Sequence, residues 1–235
     1  MLDRIVAILE TVRACGGSAT VTQIALLTGI PKSTASRTVA ALVQRRYLDR
    51  TDAGVRIGLR LFELGAQSHT PRRLSIAAMP VLAELYQATG EHLNVAVHDG
   101  PSMVSVISVR GRLRPAPSRA GARVPASTTA LGKAVLAFTS DPDVMRSITA
   151  NLDRAARLEL EDELASVRTC AVAIDRCVTF PGVVGIASPI LSADLTPVAA
   201  ISLAGPSSAL DADRMMPLVR HAALALSKRL TLQVA

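Results

Sequence analysis

A chain of 235 residues holds one large domain or two small ones, and a composition of 49% hydrophobic but only 2% aromatic residues, with no Trp, calls for a core of Leu, Val, Ile and Ala. The formal charge of +7 and the pI near 10.1 favour acidic partners such as nucleic acid and say nothing of fold. Three cysteines (Cys15, Cys170, Cys177) without CxxC spacing speak for reduced thiols rather than a disulfide scaffold, and no run approaches the roughly 18 uncharged apolar residues of a membrane helix. The opening MLDRIVAILETV carries Asp3 and Glu10 and is unlike a signal peptide, so a soluble, cytoplasmic protein without a membrane partner is expected.

In chain order, Leu2, Ile5, Val6, Leu9 and Val12 predict a first helix with that face inward, ended by Gly16-Gly17. Thr20 followed by Gln23 reads as a capping box opening a short helix, with Val21, Ile24 and Leu27 inward and Gly29 as its stop. Pro31 suits the first turn of the next helix. Placing Ala35, Val39 and Leu42 inward sends Ser33, Arg37, Ala40 and Gln44 outward. Tyr47–Arg50 and Val55–Leu59 read as two strands around the turn Thr51-Asp52-Ala53-Gly54. The order is that of a helix-turn-helix followed by a β-wing.

The outward row of the third helix is unlike a solvated face, because no acid lies between Pro31 and Leu48. A helix that enters the major groove needs small residues at the contact and donors for base edges and phosphates. Arg37 is the candidate for guanine readout. Ser33 and Ser36 suit bases or phosphates, and Lys32, Thr22 and Gln23 suit phosphate. Arg50 and Arg56 on the wing are placed for the backbone or the minor groove. With Thr34, Ala40 and Gln44, these form the candidate surface for double-stranded DNA. Residues 1–67 carry nine Lys/Arg against five Asp/Glu.

Beyond the wing, Leu74–Thr89 is a helical pattern interrupted by Pro80 and closed by Gly90. His92–Asp99 and Met103–Val109 alternate as strands, followed by an arginine-rich loop holding Arg110, Arg112, Arg114, Pro115, Pro117, Arg119 and Arg123. Helices are expected at Thr128–Phe138 and Leu158–Arg168, strands at Cys170–Asp175, Val183–Ile190 and Pro197–Leu203, and a last helix from Asp211 to Leu230. The four histidines make no metal-binding spacing, and His92 and His98 read as surface or sheet-edge residues. Gly132-Lys133 is not a P-loop, since Ser127 and Ala134 stand where Gly and Ser/Thr belong, and Lys133 reads as a helix-start residue. No catalytic group, metal or cofactor is expected.

The segment "TGIPKSTASRTVAAL" resembles the recognition helix of the IclR family of bacterial transcriptional regulators. "YLDRTDAGVRIGLRLFELG" is similar to that family's wing and linker helix, and "LNVAVHDG", "GARVPASTTALGKAVLAF" and "VVGIASPILSADLTPVAAISLAGP" to pieces of its effector domain. The resemblance runs nearly end to end. It implies an α+β chain, with a winged helix-turn-helix domain and the start of a linker helix at 1–67. A GAF-like α/β effector-binding domain with a central antiparallel sheet follows at 72–235. It also implies self-association as a dimer, possibly a tetramer, on a near-palindromic operator, and a small-molecule effector. Carried over by matching position, the effector lining is Ala130, Leu131, Asp175, Val183, Gly185, Ser202 and Ala204. The chain departs from the family pattern at Ser127-Thr128-Thr129, where His-Ala-Thr is frequent, and at Gly185, where Cys is frequent. Those changes imply a roomier, mostly apolar pocket for a neutral or weakly polar molecule, with Asp175 either lining it or capping nearby backbone. The alternative is a small-molecule-binding protein or enzyme whose N-terminal three-helix unit serves only for assembly.

Overall fold

The computed structural model describes residues 1–112, 118–150 and 152–232. The chain forms two compact units, Met1–Arg72 and Arg73–Ala235. In the first, α1 (Leu2–Ala14) buries Ile8 and Val12, with Ile5 and Leu9 half-buried beside them. The inward face is therefore rotated from the expected stripe, and Leu2 and Val6 face outward. A two-residue strand, β1 (Ser18–Ala19), follows without any advance signal. The capping box then opens α2 (Val21–Thr28): Thr20 Oγ1 accepts from Gln23 N–H at 3.1 Å, and Gln23 Oε1 accepts from Thr20 N–H at 2.8 Å. Ile24 is buried there, while Leu27, expected inward, is 64% exposed. α3 (Lys32–Gln44) buries Ala35, Val39 and Leu42 as its 3.6-residue period requires.

The wing is β2 (Leu48–Thr51) and β3 (Gly54–Ile57), paired antiparallel with Thr51 opposite Gly54. Its second strand ends two residues early because Gly58 turns the chain and Leu59 already opens α4 (Leu59–Gly65). β1 joins on the other side of β3, giving the order β1-β3-β2. This approach depends on Gly54, where a Cβ would lie within van der Waals overlap of the Ala19 carbonyl.

The second unit is built on a six-stranded, wholly antiparallel sheet. α5 (His69–Thr89) starts five residues before the expected helix, with its first turn still in the N-terminal unit, and carries Pro80 inside it. Then come β4 (His92–Asp99), β5 (Ser102–Val109), β6 (Arg123–Pro125), α6 (Ala130–Leu136), α7 (Pro142–Thr149), α8 (Arg154–Cys170), β7 (Ala173–Arg176), β8 (Val183–Leu191), β9 (Pro197–Pro206) and α9 (Ala212–Leu232). The strand order is β6-β5-β4-β9-β8-β7. β6 and α7 were not anticipated, and Cys170 ends a helix instead of opening a strand. Arg114, Pro115 and Pro117 of the arginine-rich loop lie outside the described residues.

Alternation along the strands divides the sheet into two unlike faces. Leu93, Val95, Ile186, Ile201 and Leu203 point to one side and pack with Leu82 and Leu85 of α5 and Val219 and Leu226 of α9. Ala96, Ala173, Ala187 and Ala200 point to the other, toward Leu131, Val135 and Leu136 of α6 and Leu160 and Leu164 of α8. One face is branched and bulky. The other is floored with small side chains, which is what leaves room above it.

Candidate DNA-reading face and effector cavity

α3 presents Lys32, Ser33, Ser36, Arg37, Ala40 and Gln44 to solvent, in line with the expected outward row. Thr34 is half-buried at its flank. Pro31 supplies no side-chain cap, so the first-turn N–H groups stay open to an anion. Thr22 and Gln23 are exposed at the start of α2, but Gln23 Oε1 is already taken by the Thr20 amide and hydroxyl. Only its side-chain N–H groups remain free to donate.

The wing sets apart its two arginines, each a candidate for the backbone or the minor groove. The ladder sets Arg50 opposite Val55 and Arg56 opposite Asp49, so successive side chains place the two arginines on opposite faces. Arg56 also leans on Asp49 at 3.7 Å. Lys32, Arg37 and Arg50 have no acidic partner among the described residues, whereas Arg13 and Arg60 are held by Glu10 and Glu63. The Glu63 hydrogen bond and charge also push the Arg60 pKa above its ordinary value.

The second unit holds a cavity lined by all seven expected effector residues: Ala130, Leu131, Asp175, Val183, Gly185, Ser202 and Ala204. Its free volume for water-sized molecules is about 50 Å³, and about 560 Å³ of space lies within it when the open mouth is counted. The sheet register explains the convergence. Asn94, Ser202, Ala187 and Ala173 form one row across four strands, and His92, Ala204, Gly185 and Asp175 form the next. The N-terminus of α6 closes the space from above, fixed by Thr129, whose hydroxyl donates to the Pro125 carbonyl at 2.6 Å and accepts from Gly132 N–H at 3.2 Å. Gly132 must be glycine here, since a Cβ would strike the Ala126 carbonyl 2.0 Å away.

The lining surface is mostly apolar, as expected, with polar groups set into it beyond those of the seven residues. Asn94, Ser105, Ser118 and Thr129 line it as well, and Ser105 Oγ donates to Asn94 Oδ1 at 3.0 Å. The alternation in "LNVAVH" held a signal for Asn94, because it puts the amide on the face of Ala96. Ser105, Ser118 and Phe180 depend on folding of distant segments. Asp175 both lines the cavity and caps backbone: its Oδ1 accepts from Val178 N–H at 2.9 Å and from Thr179 N–H at 3.4 Å. The Thr179 hydroxyl donates to Thr128 Oγ1 at 3.1 Å, joining the turn after β7 to the loop before α6.

Three expectations are corrected nearby. His92 is wholly buried on the central strand β4, not at a surface or edge, and its Nε2 lies 3.4 Å from Ser108 Oγ and 3.5 Å from Ser118 Oγ. His98 is half-buried, and desolvation lowers its pKa despite Asp99 beside it. Lys133 does not start a helix; it is buried on the inner turn of α6 and pairs with Glu163 of α8 at 2.5 Å. In the arginine-rich loop, Arg112 and Arg123 are engaged by Glu91 and Asp99, and Arg110 and Arg119 are exposed.

A winged helix-turn-helix with an acid-free outward face on its third helix, followed by an antiparallel sheet that borders a small cavity, defines a one-component DNA-binding regulator. Residues 1–52 match the IclR helix-turn-helix domain and residues 67–228 the bacterial transcriptional regulator IclR C-terminal domain. The chain belongs to the IclR family of transcriptional regulators, which sets aside the reading of the N-terminal helices as a mere assembly unit. It is 30% identical to the HTH-type transcriptional repressor AllR of Escherichia coli K12, over 99% of this chain and 90% of that protein. With the transcriptional repressor IclR of the same organism it shares 26% identity over 91% of this chain and 82% of the relative. Among solved structures, an IclR homolog from Microbacterium hydrocarbonoxydans complexed with 4-hydroxybenzoate superposes with a TM-score of 0.89 at 25% identity, covering 98% of this chain and 99% of that one. The Thermotoga maritima IclR structure shares the fold at a TM-score of 0.77.

Proposed function

We propose that this regulator binds a near-palindromic operator as a dimer, or as a tetramer built from dimers, with the outward row of α3 in the major groove. The acid-free run from Lys32 to Gln44 carries this reading. Arg37 reads a base edge, Ser33, Ser36, Ala40 and Gln44 fit the groove, and Lys32, Thr22, Gln23, Arg50 and Arg56 serve the phosphates from separate faces. Thr34, half-buried, supports the helix from its flank. The working division is a DNA-binding domain over 1–67 and an effector domain over 72–235, in the cytoplasm where chromosomal DNA lies. Two half-sites raise affinity and specificity beyond what one wing can reach. Leu2 and Val6 of α1 and Leu59, Phe62 and Leu64 of α4, all exposed, offer the apolar surface for pairing.

The effector occupies the cavity of the second unit, and no reaction follows. The ring of Asn94, Ser105, Ser202 and Asp175 around Ala and Gly suits a small ring compound bearing hydroxyl or amide groups. The Microbacterium homolog's 4-hydroxybenzoate is one member of that class to try. Duplexes selected from a random pool, titrated at two salt concentrations against scrambled controls, test the DNA reading. Light scattering of the full chain tests the dimer. Thermal-shift screening with 4-hydroxybenzoate, neutral hydroxylated aromatics and short oxo-acids tests the effector, and stabilisation by oxo-acids alone overturns the ring-compound assignment.

A further inference from the structure

α3 ends on a turn that backbone chemistry would assign to glycine. Arg45 follows Gln44 as the cap, and Arg46 takes φ +62°, in the left-handed region where a Cβ crowds the chain. The hydrogen bonds are those of a six-to-one helix stop. Tyr47 N–H donates to the Leu42 carbonyl and Arg46 N–H to the Val43 carbonyl, each at 2.9 Å. The turn has no room to relax, because the Arg46 carbonyl lies under Gly58, where a Cβ would fall 2.3 Å from that oxygen. The Arg60 N–H reaches the same carbonyl at 3.4 Å. The wing exit thus fixes the backbone whatever side chain stands at 46, and glycine would meet it with less strain.

The side chain offers what a glycine would lack. It is exposed, and it has no acidic partner among the described residues, unlike Arg13, Arg56 and Arg60 of the same unit. It lines one open groove with Asp49, Arg56, Leu59 and Phe62 and a neighbouring one with Gln44, Arg45, Arg60 and Glu63, where Glu63 is already paired with Arg60. It therefore stands between the end of the reading row at Gln44 and the Asp49–Arg56 face of the wing. A free guanidinium between two surfaces that meet a polyanion, held on a strained turn, fits a phosphate contact. We propose that Arg46 is a DNA-backbone contact whose register the left-handed turn sets, an inference that rests on the DNA-binding reading of α3.

The test uses the full chain and a generic mixed-sequence duplex of about two helical turns, with anisotropy measured across a salt series. Arg46→Gly relieves the turn and raises Tm by roughly 2–4 °C, while it weakens binding and lowers the slope of log affinity against log salt by about 0.9. Arg46→Lys keeps both the slope and the parent Tm. Arg46→Asn, a neutral residue that tolerates this backbone, loses the slope as the glycine variant does. Ala171→Gly, at the left-handed cap of α8, gains stability with unchanged DNA binding. An unchanged slope in Arg46→Gly overturns the proposal whatever happens to Tm. Lys32→Ala in the same series separates the failures: a lower slope there alone sinks Arg46, and unchanged slopes in both sink the DNA face itself.

Discussion

Gly185→Ala separates the cavity from the stability of the fold. Gly185 lies on β8, opposite Asp175 and Ala204, and a methyl built there stands 3.8 Å from the Cβ atoms of Ala130 and Asp175. That is ordinary contact, so nothing has to move. Burying one methyl contributes about 0.8 kcal/mol, and restricting the unfolded chain adds about 0.4–1 kcal/mol. The variant is expected to be about 1–2 kcal/mol more stable, a rise in Tm of roughly 2–8 °C. The same methyl projects into a cavity whose free volume is about 50 Å³. Overlap with a bound molecule costs about 1–3 kcal/mol, or roughly 5- to 150-fold in affinity. The assay is the Tm of wild type and variant, each with and without a compound that stabilises the wild type. A variant less stable than wild type refutes the free space at Gly185, and full ligand stabilisation in the variant refutes the cavity as the effector site.

Glu163→Ala leaves the Lys133 ammonium, 7% exposed, without its partner and is expected to cost about 1–3 kcal/mol; Lys133→Met removes the buried charge and stays within about 1 kcal/mol of wild type, both read from urea unfolding. His98 has its pKa lowered by burial, so the unfolded chain binds the extra proton, and its contribution to stability is present above the unfolded value of 6.5 and lost as pH falls below it toward the folded pKa; His98→Gln should flatten that limb of a Tm-versus-pH curve, and an unaltered limb removes the assignment. Arg37→Ala should lose about 1–3 kcal/mol against a selected operator and relax one base position, whereas Lys32→Ala weakens all duplexes alike and lowers the salt slope by about one, as competition anisotropy will show.

What could be read in the sequence was what local physics decides. α3 was readable because Gly29 and Pro31 mark its entrance and its inward positions repeat every three to four residues. The face of α1 was not, because Leu2, Ile5, Val6, Ile8, Leu9 and Val12 spread over nearly half the helix circumference, and periodicity alone does not choose among overlapping stripes. β1 has two residues and exists only because Gly54 lets Ala19 approach. α7 did carry a signal, Asp141 as its cap and Pro142 in its first turn, which a search for longer apolar patterns passes over. His92 looks like an edge residue from the polar groups around it; it is buried because β5 and β9 close on either side of its strand, a matter of topology.

The cavity lies between these cases. The small-against-large alternation of "AAISLAG" and "VVGIAS" was visible, and it implies one bulky and one sparse face. Sparseness alone does not make a site, since a packed interior normally shrinks around missing volume. Here collapse is resisted from the opposite side. Ile186, Ile201 and Leu203, each fully buried, tie β8 and β9 to the layer containing α5 and α9. For the sheet to close the space over Gly185 and Ala204, those strands would have to withdraw from that layer and forfeit its contacts. The descent of α6 is limited as well, because Gly132 already touches the Ala126 backbone and Lys133 is tethered to Glu163. The hollow is therefore held open by packing that never touches it, and a ligand entering it has little of the fold to rearrange.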